Sequence, residues 1–236
     1  MKSYLITGVS RGLGAELARN LLDSGCQVIG LARSPIDTWS IPESESFIKY
    51  QCDLTDESMV KRTFSSIRKN NFSIDVVINN AGVFSSQLLQ TSTSTHFIDV
   101  LNSNLLSALY VTREASKLMR SNGGGSVVSI SSIATAIRIP GNSIYGISKV
   151  GLEELMRGFA IEYQDSGITF NSIRVSFIEN TGMVSSLSDK PRKVYESRLL
   201  APQVLTVSEV LNAVQFFQSS LANSVTGQVL TLGSPS

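Results

Sequence analysis

The 236-residue chain predicts a single α/β domain, a doubly wound parallel sheet of about seven strands with helices on both faces. Three observations carry that prediction. Short apolar runs alternate with helical patterns along the whole chain, the second run is too uniformly apolar for a half-exposed strand, and the first run enters a glycine-rich turn that opens a helix.

Tyr4-Leu5-Ile6 is the first strand. Thr7-Gly8-Val9-Ser10-Arg11-Gly12-Leu13-Gly14 follows, and Leu17, Ala18, Leu21 and Leu22 then give one apolar helical face that Gly25 ends. Gln27 to Ala32 reads as strand 2, Ser34 to Ser46 with its two prolines as loop, and Phe47 to Cys52 as strand 3. Asp56 opens a helix to about Asn70, and Ile74 to Asn79 makes strand 4. The alternation continues with a helix from Thr95 to Arg120, a strand from Ser126 to Ser131, a helix from Ile144 to Gln164 and a strand from Ile168 to Val175. Val207 to Ser219 and Gln228 to Leu232 close the series. Met183 to Leu205 has no clear period, and long irregular stretches in compact domains are often lids.

Composition bounds the function. With 42% hydrophobic and 17% charged residues, the chain has enough apolar material for one large core. A net charge of +1 with mixed signs leaves neither a basic stripe for nucleic acid nor an acidic tail, so a small-molecule substrate fits better. Met1-Lys2 runs straight into strand 1, leaving no room for a signal peptide, and no apolar run approaches the ~20 residues that span a bilayer. A cytoplasmic protein without a membrane partner is expected. Cys26 and Cys52 have no C-x-x-C spacing and only His96 as a potential partner; they read as core thiols, with no metal site. His96 reads as a polar residue at a helix start.

The glycine turn is the first chemical signal. Glycines at 8, 12 and 14 remove the Cβ atoms that would keep the backbone away from a pyrophosphate, and the following helix points its free N–H groups and positive dipole end at it. That is the arrangement of a Rossmann-type dinucleotide site, although the spacing is G-x-x-x-G-x-G and an ordinary strand-to-helix turn is the plain alternative. The second signal is Tyr145 and Lys149, four apart and so on one helix face. A free phenol, with a pKa of about 10, is a poor acid or base near neutrality. A lysine at about 4 Å in an effective dielectric near 20 favours phenolate by about 4 kcal/mol before desolvation is counted, which brings the phenol into catalytic range.

Together with Asn79-Asn80-Ala81-Gly82 after strand 4, Ser131-Ser132 after strand 5 and Thr226-Gly227-Gln228-Val229-Leu230 near the end, these segments resemble the short-chain dehydrogenases/reductases over nearly the whole chain. Ser132 stands thirteen residues before Tyr145, as in that family. The resemblance implies that Tyr145 protonates a carbonyl oxygen during reduction, that Ser132 hydrogen-bonds the same oxygen, and that Lys149 also holds the nicotinamide ribose. It implies further that Asn104 supports a water leading to the lysine; the choice of Asn104 over Asn102 rests on the leucine that follows it and on Thr112 downstream. The expected cofactor contacts are Gly8, Ser10, Arg11, Gly12, Leu13 and Gly14 in the first turn, Asp53 and Leu54 after strand 3, Asn80, Ala81 and Gly82 after strand 4, and Tyr145 and Lys149 themselves. Asp53 has a helix N-cap as its alternative role.

Cofactor choice turns on the end of strand 2. An NAD enzyme commonly places an acid there for the ribose hydroxyls. Ala32 and Arg33 stand there instead, with Arg11 in the glycine turn, and forked guanidiniums suit a phosphate, so NADP(H) is expected. The pattern departs from the family after strand 6, where Val175-Ser176 replaces the usual Pro-Gly and Thr181 arrives one residue late. Ile178 and Thr181 remain expected cofactor contacts.

The leading function is NADPH-dependent reduction of a ketone to a secondary alcohol, on a small or carrier-bound substrate, similar to the 3-oxoacyl-carrier-protein reductase branch. Lys190, Arg192, Lys193 and Arg198 could meet a phosphopantetheine or other acidic substrate, or simply form a solvated helix face. The alternative is a catalytically silent NADP(H)-binding sensor of the same fold. The chain is too short for the longer substrate region of the epimerases and dehydratases among the extended relatives. A homo-oligomer, tetramer or dimer, is expected from the resemblance, built on the two long helices.

Overall fold

The computed structural model describes residues 1–42, 44–179, 194, 197–200 and 204–233. Its sheet has seven strands, all parallel, in the order β3-β2-β1-β4-β5-β6-β7: β1 Ser3–Thr7, β2 Gln27–Ala32, β3 Phe47–Gln51, β4 Val76–Asn79, β5 Gly125–Ser132, β6 Ile168–Val175 and β7 Val229–Thr231. The helices are α1 Gly12–Asp23, α2 Glu57–Lys69, α3 Ser94–Leu101, α4 Ser107–Ser121, α5 Ser143–Glu162 and α6 Val207–Phe217.

Side chains that alternate along the central strands feed two apolar layers. Tyr4, Ile6, Val28, Val76, Ile78, Val128 and Ile173 pack with α1 and α6 on one face, while Leu5, Ile29, Val77 and Val127 pack with α2, α4 and α5 on the other. Cys52 is buried in the second layer and Cys26 is half-buried beside the first; both are free thiols, and burial pushes the Cys52 thiol up. No helix among the described residues is long and apolar enough to cross a membrane.

The strand order reverses between β1 and β4, so the carboxyl ends of these neighbours open a crevice at the topological switch point. Side-chain chemistry stitches its two lips together. The Thr7 hydroxyl accepts from the backbone N–H groups of Asn80 and Ala81, each at 3.0 Å, and Asn80 Nδ2 donates to the Thr7 carbonyl at 2.9 Å.

One expected element and one alternative role are not met. The helix expected from Thr95 to Arg120 is not one α-helix: α3 and α4 are joined through a π-helical turn, Asn102–Leu106, which periodicity alone does not register because the apolar face continues through it. Asp53 caps no helix. Asp56 is the N-cap of α2, accepting from the N–H groups of Ser58 and Met59, whereas Asp53 accepts from the Thr55 N–H and hydroxyl in a local turn.

Candidate active site

The glycine turn occupies the β1 lip of the crevice. Gly8 and Gly12 have φ of +69° and +60°, in the left-handed region that favours glycine. A Cβ on Gly8 would lie 2.9 Å from Ala81 Cα, and one on Gly14 would overlap the Gly8 carbonyl oxygen, so these two positions hold the turn against the β4 lip. Gly12 is different, because a Cβ there would meet nothing within 4 Å. Arg11 is the N-cap residue of α1 and offers no side-chain cap, and the first turn of the helix has no acidic residue. Its free N–H groups and positive end therefore face the crevice, a cradle that fits an anionic dinucleotide backbone.

Arg11 and Arg33 are both exposed, at the carboxyl ends of adjacent strands, and neither guanidinium has a hydrogen-bond or ion-pair partner among the described residues. The turn is tied to β2 by Gly8 N–H donating to the Leu31 carbonyl at 2.8 Å. Leu13 is buried and Ser10 half-buried in the turn, and Leu54 is buried behind Asp53.

The second half of the site lies at the ends of β4 and β5 and along the first two turns of α5. Lys149 is 5% exposed, its Nζ donates to the Ile130 carbonyl at 2.8 Å, and it stands 5.8 Å from the centroid of the Tyr145 ring. Burial pulls its ammonium down to about 8, with the Glu153 carboxylate acting in the opposite direction. Tyr145 is itself buried, and Phe84 meets its ring edge-on at 5.3 Å. Ser132 ends β5 and caps the following turn by accepting from the Ala134 N–H at 3.2 Å. That bond uses the oxygen as acceptor, and the hydroxyl hydrogen donates to nothing among the described residues.

Asn104, 1% exposed, projects from the π-helical turn. Its Oδ1 accepts from Val83 N–H at 2.7 Å, and its Nδ2 donates to the Val83 carbonyl at 3.0 Å and to Ser148 Oγ at 2.9 Å. Ser148 in turn donates to the Tyr145 carbonyl at 2.7 Å. A Cβ on Gly82 would come 3.0 Å from Asn104 Oδ1 and 3.6 Å from Lys149 Nζ, so the asparagine and the lysine meet at this glycine. Asn102, by contrast, is half-buried and its side chain makes no hydrogen bond among the described residues.

Of the remaining expected contacts, Ile178 is buried and pairs with Leu205 in a single bridge beyond β6. Thr181, Lys190, Arg192, Lys193 and most of the expected lid lie outside the described residues. Arg198 is described; it is exposed and donates to the Arg138 carbonyl at 3.4 Å. His96 is not idle at its helix start, since its Nε2 lies 2.7 Å from the hydroxyl of buried Ser85. Sequence reasoning also missed Ser148, Glu153 and Arg174. The signal for the first two was present: both project from the Tyr145–Lys149 face of α5 at helical spacing.

The fold and this site define an oxidoreductase of the Rossmann-like, nicotinamide-dependent class. The chain matches the family profile described as short chain dehydrogenase over residues 2–192, and it belongs to that family. It is 30% identical over 231 residues to the 3-oxoacyl-[acyl-carrier-protein] reductase FabG of Buchnera aphidicola (subspecies Schizaphis graminum), covering 97% of this chain and 94% of the relative. Among solved structures, the short-chain dehydrogenase of Leptospira borgpetersenii with bound NAD+ superposes with a TM-score of 0.87 at 25% identity, covering 98% of this chain and 91% of that one. ElxO with NADP bound superposes with a TM-score of 0.84 at 28% identity, covering 98% and 96%.

Proposed function

We propose that the protein is an NADPH-dependent reductase that converts a ketone, such as a 3-oxoacyl thioester or the oxo group of a biosynthetic intermediate, to a secondary alcohol. The observation that carries this reading is the buried pairing of Lys149 with Tyr145, the lysine tied to the Ile130 carbonyl on the strand that ends in Ser132. Tyr145 gives its phenolic proton to the substrate oxygen, Lys149 in its charged form stabilises the phenolate left behind, and the uncommitted Ser132 hydroxyl donates to the same oxygen. When bound, the reduced nicotinamide supplies the hydride to the carbonyl carbon. The helix end of α1 and the glycine turn would hold its diphosphate, and Lys149 its ribose.

Two guanidiniums without a partner among the described residues, Arg11 and Arg33, with no acid at the end of β2, support NADPH over NADH. Likeness to the acyl-carrier-protein reductases supports a thioester-bound substrate. A cytoplasmic homo-oligomer is the reading that the family resemblance implies. The sensor alternative has no observation in its favour, because a binding protein has no use for a proton donor aimed at a carbonyl.

The test is NADPH consumption, with NADH in parallel, across β-ketoacyl thioesters, simple ketones and keto sugars, with Tyr145→Phe as the control. NADPH-dependent turnover lost in the variant is expected. Tight NADPH binding without turnover on any substrate class would return the sensor reading.

A further inference from the structure

We propose that Glu153 is a positioning residue for the catalytic centre, a buried carboxylate that joins the three elements carrying the candidate catalytic and nicotinamide-contacting residues, with Arg174 as its counter-charge. The inference rests on the reductase reading and deepens it.

Glu153 is 4% exposed and lies one helical turn beyond Lys149 on α5. Its Oε1 accepts from the Ser131 hydroxyl at 2.6 Å and from Arg174 Nε at 3.2 Å, and its Oε2 accepts from Arg174 Nη2 at 2.8 Å. Ser131 precedes Ser132 at the end of β5, and Arg174 precedes Val175-Ser176 at the end of β6. The sheet register sets Ser131 beside Arg174 and Ser132 beside Val175. The Arg174 carbonyl accepts from Leu232 N–H at 2.9 Å, which extends the tie to the chain leaving β7.

Taking this pair out of water is expensive, and an apolar pair of like volume would serve stability as well or better, so the pair points to geometry and charge. Geometry is needed at this place. Val175-Ser176 lacks the fixed φ that a proline would give the segment leaving β6, and a forked Arg174–Glu153 contact fixes the root of that segment to the helix of Tyr145 and Lys149.

Charge acts on the lysine. Burial disfavours the Lys149 ammonium, and Glu153 is the group that opposes it. Tyr145 is the other titratable neighbour on the same helix face. Among the described elements packed on α5, β5 and the π-helical turn carry no charged residue and β6 carries Arg174 alone. His96 and Asp99 lie on α3, and Arg138 follows the turn after β5, donating to the Ala134 carbonyl.

The experiment follows Lys149 directly, by nuclear magnetic resonance of isotope-labelled lysine side chains in the full-length protein, its signal assigned by loss in Lys149→Met. In Glu153→Gln the Lys149 titration moves to lower pH, and kcat near neutrality falls about tenfold while the KM for NADPH stays within about twofold. Glu153→Asp keeps the charge and returns the titration toward the wild-type position. A folded Glu153→Gln whose Lys149 titration and pH–rate profile coincide with wild type overturns the proposal. If Glu153→Gln does not fold, Arg174→Gln is read instead: with its counter-charge gone the carboxylate acts on the lysine alone, the signal moves to higher pH, and an unmoved signal overturns the proposal. The titration needs no turnover, so a wild-type protein that reduces no ketone sinks the reductase reading and leaves this result standing.

Discussion

Lys149 Nζ donates to the backbone carbonyl of Ile130 at 2.8 Å, two residues before the end of a strand that finishes in Ser132. The bond aims a buried ammonium across the site and gives it one neutral acceptor, while the nearest opposing charge sits a helical turn away in Glu153. In the proposed reaction this cation serves the chemistry, while its burial is costly for stability.

The functional consequence is a limb in the pH profile. Burial places the Lys149 ammonium at about 8, so the charge that favours the Tyr145 phenolate is present below that pH and lost above it. The kcat/KM for ketone reduction is expected to fall as pH rises through about 8, since this ratio reports the free enzyme. In Lys149→Arg, whose guanidinium does not titrate there, that limb disappears.

The stability consequence has the opposite sign to a salt bridge. The lysine binds its proton less tightly in the native state, at about 8, than in the unfolded chain, at the ordinary 10.5, so between those values the unfolded state holds more protons and stability rises with pH. Below about 8 the desolvation cost is fully present. Lys149→Met should therefore raise Tm by a few degrees at pH 7 while abolishing turnover, and its advantage should shrink in melts at higher pH.

Asn104 serves two backbone groups of Val83 and the Ser148 hydroxyl at once. Asn104→Ala removes two bonds to the Val83 backbone and one to the buried Ser148 hydroxyl and should cost about 1–2 kcal/mol in denaturant unfolding. It also frees the turn at Gly82 against which Lys149 rests, so kcat should fall by more than the KM for NADPH rises. An unchanged kcat with a raised KM for NADPH would mean that the residue acts on binding alone.

Arg11 and Arg33 set the expected cofactor preference. Removing one charge-assisted contact to a 2′-phosphate costs about 1.5–3 kcal/mol, or roughly tenfold or more in affinity. Arg11→Ala and Arg33→Ala should each weaken NADPH binding by that factor in a fluorescence titration and leave NADH nearly unchanged. If both variants keep the wild-type ratio of NADPH to NADH affinity, the assignment fails.

Much of the architecture was legible without coordinates. Apolar runs such as Gln27–Ala32 and Val76–Asn79 are strands because both sheet faces are covered, and the glycine turn is legible because a close backbone approach and left-handed φ leave few other residues usable. Tyr145 and Lys149 were readable because spacing on one helix is local information. What the tertiary structure decided is whatever joins residues far apart in the chain: Asn104 with Val83 and Ser148, Ser85 with His96, and Glu153 with Ser131 and Arg174. The π-helical turn belongs to the same group, for its unusual hydrogen bonding leaves no mark on the apolar period. Local spacing fixes which side chains share a face, whereas the desolvation that moves Lys149 and the carboxylate that opposes it exist only once the sheet and α5 close around them.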